Sequence, residues 1–253
     1  MPSGESLFIS GSTERIFLNL ELGCSSSCSY CYLPSEELQI SQRPLTTESL
    51  SPESLVAKLE ADGRFVPGRS GTILSIGCFS ECWDSQTRPQ TIQLIQSLLK
   101  FDNWIQFATK RHISFSDLQK ITSTEGWRQQ VVAYMSTATI THWSEMERGT
   151  SPPMRRFKSF DACASLAVRA FLYIKPVLPG ITLQDADRYG AIMQGFGVDA
   201  VVGDIFTSAG GTEASPISRK LHVAEHPDVT ALRQALSRFG RVFANSTQHL
   251  HSH

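Results

Sequence analysis

The 253-residue chain has no apolar run approaching the roughly 18–20 residues that a membrane-spanning helix needs. Its most apolar stretch, LAVRAFLYIKPVLPGI (166–181), is broken by Arg169, Lys175 and two prolines. The N-terminal MPSGESLFISG has no charged segment leading into an apolar one, so no secretory signal is expected and the chain is read as cytoplasmic, with no membrane partner. A formal net charge of −1 leaves no basic excess for a broad phosphate-binding surface, and nucleic acid is not an expected partner. A local basic groove is still compatible with a neutral total. Internal repeats, blocks of like charge and low-complexity tracts are also missing. What is present is 41% apolar and 19% charged residues, the balance of a soluble globular chain long enough for one large α/β domain or two small ones. Six cysteines in a reducing compartment are thiols or metal ligands rather than disulfides.

Apolar, β-rich runs recur at 15–22, 72–77, 104–109, 131–137, 169–175 and 199–206. Between and after them lie stretches of helical periodicity, 51–62, 88–101, 115–125, 155–167, 183–195 and 229–240. SPESLVAKLEADG shows the start and stop signals clearly, with Ser51 as N-cap, Glu53 in the first turn and Gly63 at the end. Strands alternating with helices build βαβ units and a parallel sheet, and strands apolar almost throughout are those covered on both faces. Reactive residues cluster just after the first three strand runs, at the edge where parallel α/β folds place their sites. That clustering favours an α/β fold of incomplete (β/α)6 TIM-type barrel form, with parallel strands, over an open doubly wound sheet. The expected organisation is an N-terminal extension (1–14), a barrel domain (15–206), and a C-terminal loop, helix and tail (207–253) completing the same domain. TSAGGTEASP (207–216) is the expected mobile segment, and the histidines of HLHSH (249–253) read most simply as a disordered tail.

The densest chemistry is GCSSSCSYCYLP (23–34), with Cys24, Cys28 and Cys31 at the spacing C-x3-C-x2-C. A structural zinc site closes with four ligands, commonly from two cysteine pairs, and no second pair stands at a suitable distance. A 4Fe-4S cluster is held through thiolates, and with only three of them one iron keeps an open position for a small molecule. Three unrelated buried thiols are the plainest alternative. Two more cysteines, Cys78 and Cys82, lie on the loop after the 72–77 strand. Each is either a small buried apolar residue or, more sharply for Cys82, a hydrogen-atom donor or an extra ligand.

The three cysteines with Tyr30 before the third resemble the signature of the radical S-adenosylmethionine (SAM) superfamily. SIGCFSECWDSQTRP (75–89), FATKR (107–111), MERGTSPPMRRF (146–157) and YIKPVLPGIT (173–182) resemble, in form and order, its spore photoproduct lyase-like branch across about residues 15–205. The resemblance implies a partial barrel with the radical SAM core, a 4Fe-4S cluster on Cys24, Cys28 and Cys31, and S-adenosyl-L-methionine on the open iron. It implies reductive cleavage of SAM to methionine and a 5′-deoxyadenosyl radical that abstracts hydrogen from a substrate, with a flavodoxin- or ferredoxin-like donor as the reducing partner. By position, Tyr30 is implied near the adenine and Lys110 at the SAM carboxylate. Ser80 and Ser136 are implied as hydrogen-bond donors, Glu147 and Arg155 as braces of the pocket, and Asp204 as a residue reaching SAM or substrate.

Glu81 stands where relatives often carry Asp, and C-terminal DNA-binding features are not visible, so membership of the branch supplies no substrate. Two other functions remain open: a non-catalytic Fe–S electron carrier or sensor, and nucleic-acid lesion repair by the same radical chemistry. For the latter the sequence offers only scattered residues such as Trp83, Arg88, Lys110, Arg111 and His112.

Overall fold

The computed structural model describes residues 7–34, 40, 49–207, 222–224 and 226–250. Strand β2 (Arg15–Leu18) is followed by helix α1 (Pro52–Glu60), β3 (Ile73–Ile76), α2 (Arg88–Leu98), β4 (Ile105–Thr109), α3 (Phe115–Thr122) and β5 (Val131–Thr137). Three short helices follow, α4 (Trp143–Met146), α5 (Pro153–Phe157) and α6 (Ser159–Ser165), then β6 (Arg169–Ile174), α7 (Ala186–Phe196) and β7 (Ala200–Val202). β2 through β7 pair in sequence order, each parallel to the next. One strand is added at each edge: β1 (Ile9–Gly11), antiparallel to β2, and β10 (Val242–Phe243), parallel to β7. The eight-stranded sheet is an incomplete parallel barrel, as expected. A separate antiparallel pair, β8 (Ile205–Thr207) with β9 (His222–Ala224), precedes α8 (Pro227–Leu236).

Local signals account for the helix boundaries. Ser51 caps α1 by accepting the Ser54 amide at 3.2 Å, with Pro52 in the first turn, and Ser114 caps α3 by accepting the Asp117 amide at 3.2 Å. α7 ends at Gly197, whose φ of +63° suits a residue without Cβ. The 155–167 helix is in fact two, α5 and α6, meeting at Lys158, and the 199–206 strand divides around Gly203 into β7 and β8. β1 escaped the periodicity because three residues are too few to show it. It lies within the expected N-terminal extension and is turned back on β2 at Gly11, where a Cβ would stand 2.2 Å from the Arg15 carbonyl oxygen.

Alternation along β5 shows how the barrel is filled. Val131, Ala133 and Met135 join the large core under the helices. Val132 and Tyr134 pack instead with Ile73, Trp104, Phe171, Val201 and Leu250 in a second cluster. The C-terminal segment closes this second cluster: His249 stacks on Phe171 with ring centroids 4.0 Å apart, and its Nε2 lies 2.6 Å from the Tyr134 hydroxyl. Burial and the neighbouring Arg169 push His249 down to about 4, so the ring is neutral at physiological pH. His249 is thus a packed core residue; residues 251–253 of the tail, and nearly all of the 207–216 segment, fall outside those described. Among the described residues no helix is long and apolar enough to cross a membrane.

Candidate active site at the cysteine loop

The cysteine loop follows β2 and is tied to three neighbouring segments. Gly23, at φ +109°, donates to the Phe79 carbonyl at 2.9 Å and forms a parallel bridge with Ser80. The Ser29 amide donates to the Met146 carbonyl at 2.9 Å, and the Gly149 amide to the Ser26 carbonyl at 3.1 Å. Arg111 joins the segments from the side: it donates to Ser26 Oγ at 3.2 Å, to Asp84 Oδ2 at 2.6 Å and to the Gly149 carbonyl. Residues 146–149, the MERG of the sequence motif, therefore clamp the cysteine loop.

Cys24, Cys28 and Cys31 are in no disulfide and line one cavity of 540 Å³, together with Tyr30, Ser80, Lys110 and Ser136. Burial pushes Cys24 up to about 11, with Glu81 adding to the effect, and Cys28 up to about 12. Without a cation both are neutral thiols, and a metal binding there would expel their protons. The three share the walls of that one cavity, and no fourth cysteine of the loop joins them. A lone zinc wants four ligands at about 2.0–2.3 Å, whereas the irons of a cluster take their thiolates at separate corners. The donor set fits a cluster.

Behind the cavity wall Glu147 is fully buried and satisfied on every side. It accepts from the Tyr30 hydroxyl, the Ala138 amide at 2.9 Å and Arg156 Nη1 at 2.9 Å, while Lys110 Nζ approaches to 3.9 Å. Burial alone would push this carboxyl up, but the Arg156 guanidinium, then Lys110, outweigh it and hold it below the ordinary carboxylate range. Lys110 donates to Ser136 Oγ at 2.8 Å, and its ammonium lies 5.7 Å from the centroid of the Tyr30 ring. Tyr30, Lys110, Ser136 and Glu147 thus form one connected group beside the thiols.

Three expected residues lie elsewhere. Arg155 is exposed on α5; the arginine that meets Glu147 is its neighbour Arg156, fully buried and bonded also to Thr150 Oγ1 at 2.7 Å and the Ser151 carbonyl at 2.8 Å. Both arginines share the RR of the motif, and only the helix phase distinguishes them. Asp204 is outside the cavity lining and pairs with Arg233 of α8 at 3.1 Å. Cys82 is buried beneath the cavity, its side chain against Gly77 and 3.9 Å from the Ala108 carbonyl, while Cys78 lines the cavity. The Tyr32 hydroxyl donates to the Cys78 carbonyl and lies 3.9 Å from its sulfur. Sequence reasoning had Arg111 only as a scattered candidate for nucleic-acid contact, and it missed Tyr32, Arg156 and a layer of polar residues on the barrel's inner face: Ser75, Gln106, Tyr134 and Tyr173. The signal for that layer was available, a polar side chain at an inward position of each of β3, β4, β5 and β6.

No family model and no curated protein sequence matches the chain. Solved structures do. A single-residue variant of spore photoproduct lyase superposes with a TM-score of 0.62 at 13% identity, over 88% of this chain and 74% of that one. Streptococcus suis SuiB bound to S-adenosylmethionine gives 0.62 at 12% identity, over 94% of this chain and 52% of SuiB. These proteins share its fold. A spore photoproduct lyase variant with bound AdoMet and dinucleoside spore photoproduct aligns at 0.56 and 13% identity, over 88% of this chain and 61% of that one. The chain therefore spans about half the length of SuiB and between three fifths and three quarters of the lyase chains. The partial barrel implied by the sequence motifs is the architecture found.

Proposed function

We propose that the protein is a radical SAM enzyme, with Cys24, Cys28 and Cys31 holding a 4Fe-4S cluster and the Lys110 side of the cavity holding S-adenosylmethionine. The observation that carries this reading is that three cysteines of one loop, none in a disulfide, and a lysine line a single cavity. The SAM bound to SuiB within the same fold supports it. When bound, the cluster supplies one electron that cleaves SAM to methionine and a 5′-deoxyadenosyl radical. The chain's own residues bind and orient. Lys110 offers a point charge for a carboxylate, held in direction by Ser136 and by Glu147. Ser80 and Ser136 offer hydroxyls, and Tyr30 offers a ring face whose own hydroxyl is taken up by Glu147. Cys78, a cavity-lining thiol outside the motif, would give a hydrogen atom to a substrate radical; its place in the lining supports this. There the S–H bond breaks and a C–H bond forms, and the sulfur radical left behind takes an electron from the external reductant and a proton from solvent.

Anaerobic reconstitution followed by iron and sulfide counting, then reduction with SAM and chromatography for 5′-deoxyadenosine, tests the reading. The expected result is about four irons per chain and release of 5′-deoxyadenosine, both lost in the Cys24→Ala/Cys28→Ala/Cys31→Ala protein. A triple variant that kept its iron would overturn the cluster assignment. Iron without 5′-deoxyadenosine would leave an electron carrier or sensor. Once a substrate is known, Cys78→Ala is expected to change the product while Cys82→Ala does not, and an altered product from Cys82→Ala alone would reverse that choice.

A further inference from the structure

Beyond the cysteine loop the cavity continues into the barrel, and its charge becomes one-sided. Three cations line it, Arg15, Lys110 and Lys175, against one acidic residue among the described ones, Glu81. Glu81 is already engaged by Thr109 Oγ1 at 2.5 Å, the Lys110 amide at 3.0 Å and the Trp83 amide at 3.1 Å. Lys110, held by Ser136 and Glu147, is the cation assigned above to the SAM carboxylate. Arg15 and Lys175 remain, neither with a carboxylate partner among the described residues.

Both are held toward the cavity by their surroundings. Arg15 donates from Nε to Ser75 Oγ at 2.7 Å, and its guanidinium carbon stands 4.5 Å from the centroid of the Phe17 ring. The Lys175 stem lies against Gly203, where an added Cβ would meet its Cγ and Cδ at 2.8 Å. Both cations act on the same thiol: burial pushes Cys78 up, while the Tyr32 hydrogen bond, Arg15 and Lys175 pull it back. Like charges in a partly dry cavity are unfavourable until a counter-charge arrives. The cluster of Ile73, Trp104, Val132, Phe171, Val201 and Leu250 shows that this barrel fills its inner face with apolar side chains elsewhere. Among the described residues no carboxylate supplies that counter-charge, and an anionic ligand would.

We propose that the substrate is a small anionic molecule whose carboxylate or phosphate is held between Arg15 and Lys175, beside Cys78. The word substrate rests on the radical SAM reading; the anion site does not.

Alkylation of Cys78 by iodoacetate and by iodoacetamide tests the site, since the two reagents share a leaving group and differ in charge. The measurement uses the reconstituted holoenzyme without reductant, with labelling of the Cys78 peptide read by mass spectrometry. The iodoacetate-to-iodoacetamide rate ratio at Cys78 is expected to exceed that of free cysteine, and to fall about tenfold in Arg15→Gln and in Lys175→Gln, the scale of a lost charge-assisted contact. Lys175→Arg should restore most of it. Protection of the wild-type thiol by inorganic phosphate at lower concentration than acetate assigns a phosphate-bearing substrate, and the reverse order a carboxylate. A ratio equal to that of free cysteine and unchanged in both variants overturns the proposal. Calorimetric titration with inorganic phosphate and with acetate reads the same site without alkylation. Heat from either anion that is lost in the Arg15→Gln/Lys175→Gln protein supports the site, and no heat from either in the wild type refutes it. SAM cleavage with a neutral ratio would remove the anion site alone. A raised ratio in a protein that never cleaves SAM would leave the site and remove its role in the reaction.

Discussion

Gly149 lies so close to Ser26 that a Cβ on residue 149 would stand 2.4 Å from the Ser26 carbonyl oxygen. The clamp over the cysteine loop therefore needs a residue without a side chain. Gly149→Ala is expected to push the loop off its position at a cost of about 1–3 kcal/mol, the usual range for overpacking. Reconstituted iron per chain should drop while far-ultraviolet circular dichroism stays that of the wild type. Full iron loading would show that the loop tolerates the displacement.

Lys110→Ala removes the cation nearest the expected carboxylate. The contact is charge-assisted and worth roughly 1.5–3 kcal/mol, so SAM affinity should weaken about tenfold or more. Equilibrium binding of SAM to the reconstituted protein measures it, with iron content as the control. Unchanged affinity would return Lys110 to a purely structural role with Ser136 and Glu147.

The adjacent arginines of the RR pair separate cleanly by burial. Arg156→Ala strands the fully buried Glu147 carboxylate, and breaking such a pair costs about 3–5 kcal/mol. Arg155→Ala, on the exposed face of α5, should stay within about 0.5 kcal/mol of wild type. Denaturant midpoints compare the two, and equal losses would contradict the placement of Glu147 in its pocket.

Asp185 supplies a pH dependence. Its fully buried side chain accepts from Thr139 Oγ1 at 2.8 Å and from the Ile140 and Thr141 amides at 2.7 and 3.0 Å, gripping the segment that leaves β5. Burial would push this carboxyl up, but the hydrogen bonds from Thr141 and its neighbours prevail and hold it below the ordinary range. Its stabilising contribution is then complete above the unfolded value of about 3.9 and is lost as pH falls through the lower folded value. Between about pH 5 and pH 3 wild-type stability should fall more steeply than that of Asp185→Asn, which has no proton to take up. Parallel slopes would exclude Asp185 as a contributor to acid sensitivity.

Much of the architecture was present in the sequence because it is written in local signals. The Ser51 cap and the continuous apolar run VVAYMST give α1 and β5 nearly to the residue, and C-x3-C-x2-C names the three thiols that line one cavity. Chain neighbours set each of these. Only the tertiary structure chose between near-identical candidates: Arg156 over Arg155, and Cys78 over Cys82 at the cavity wall. Helix phase and loop curvature make those choices, and both depend on what packs behind. The Lys110–Glu147–Tyr30 group and the unbalanced pair Arg15 and Lys175 join residues far apart in the chain. Parallel strands closing into a barrel bring their inward side chains onto one cavity, and no spacing along the chain encodes that meeting.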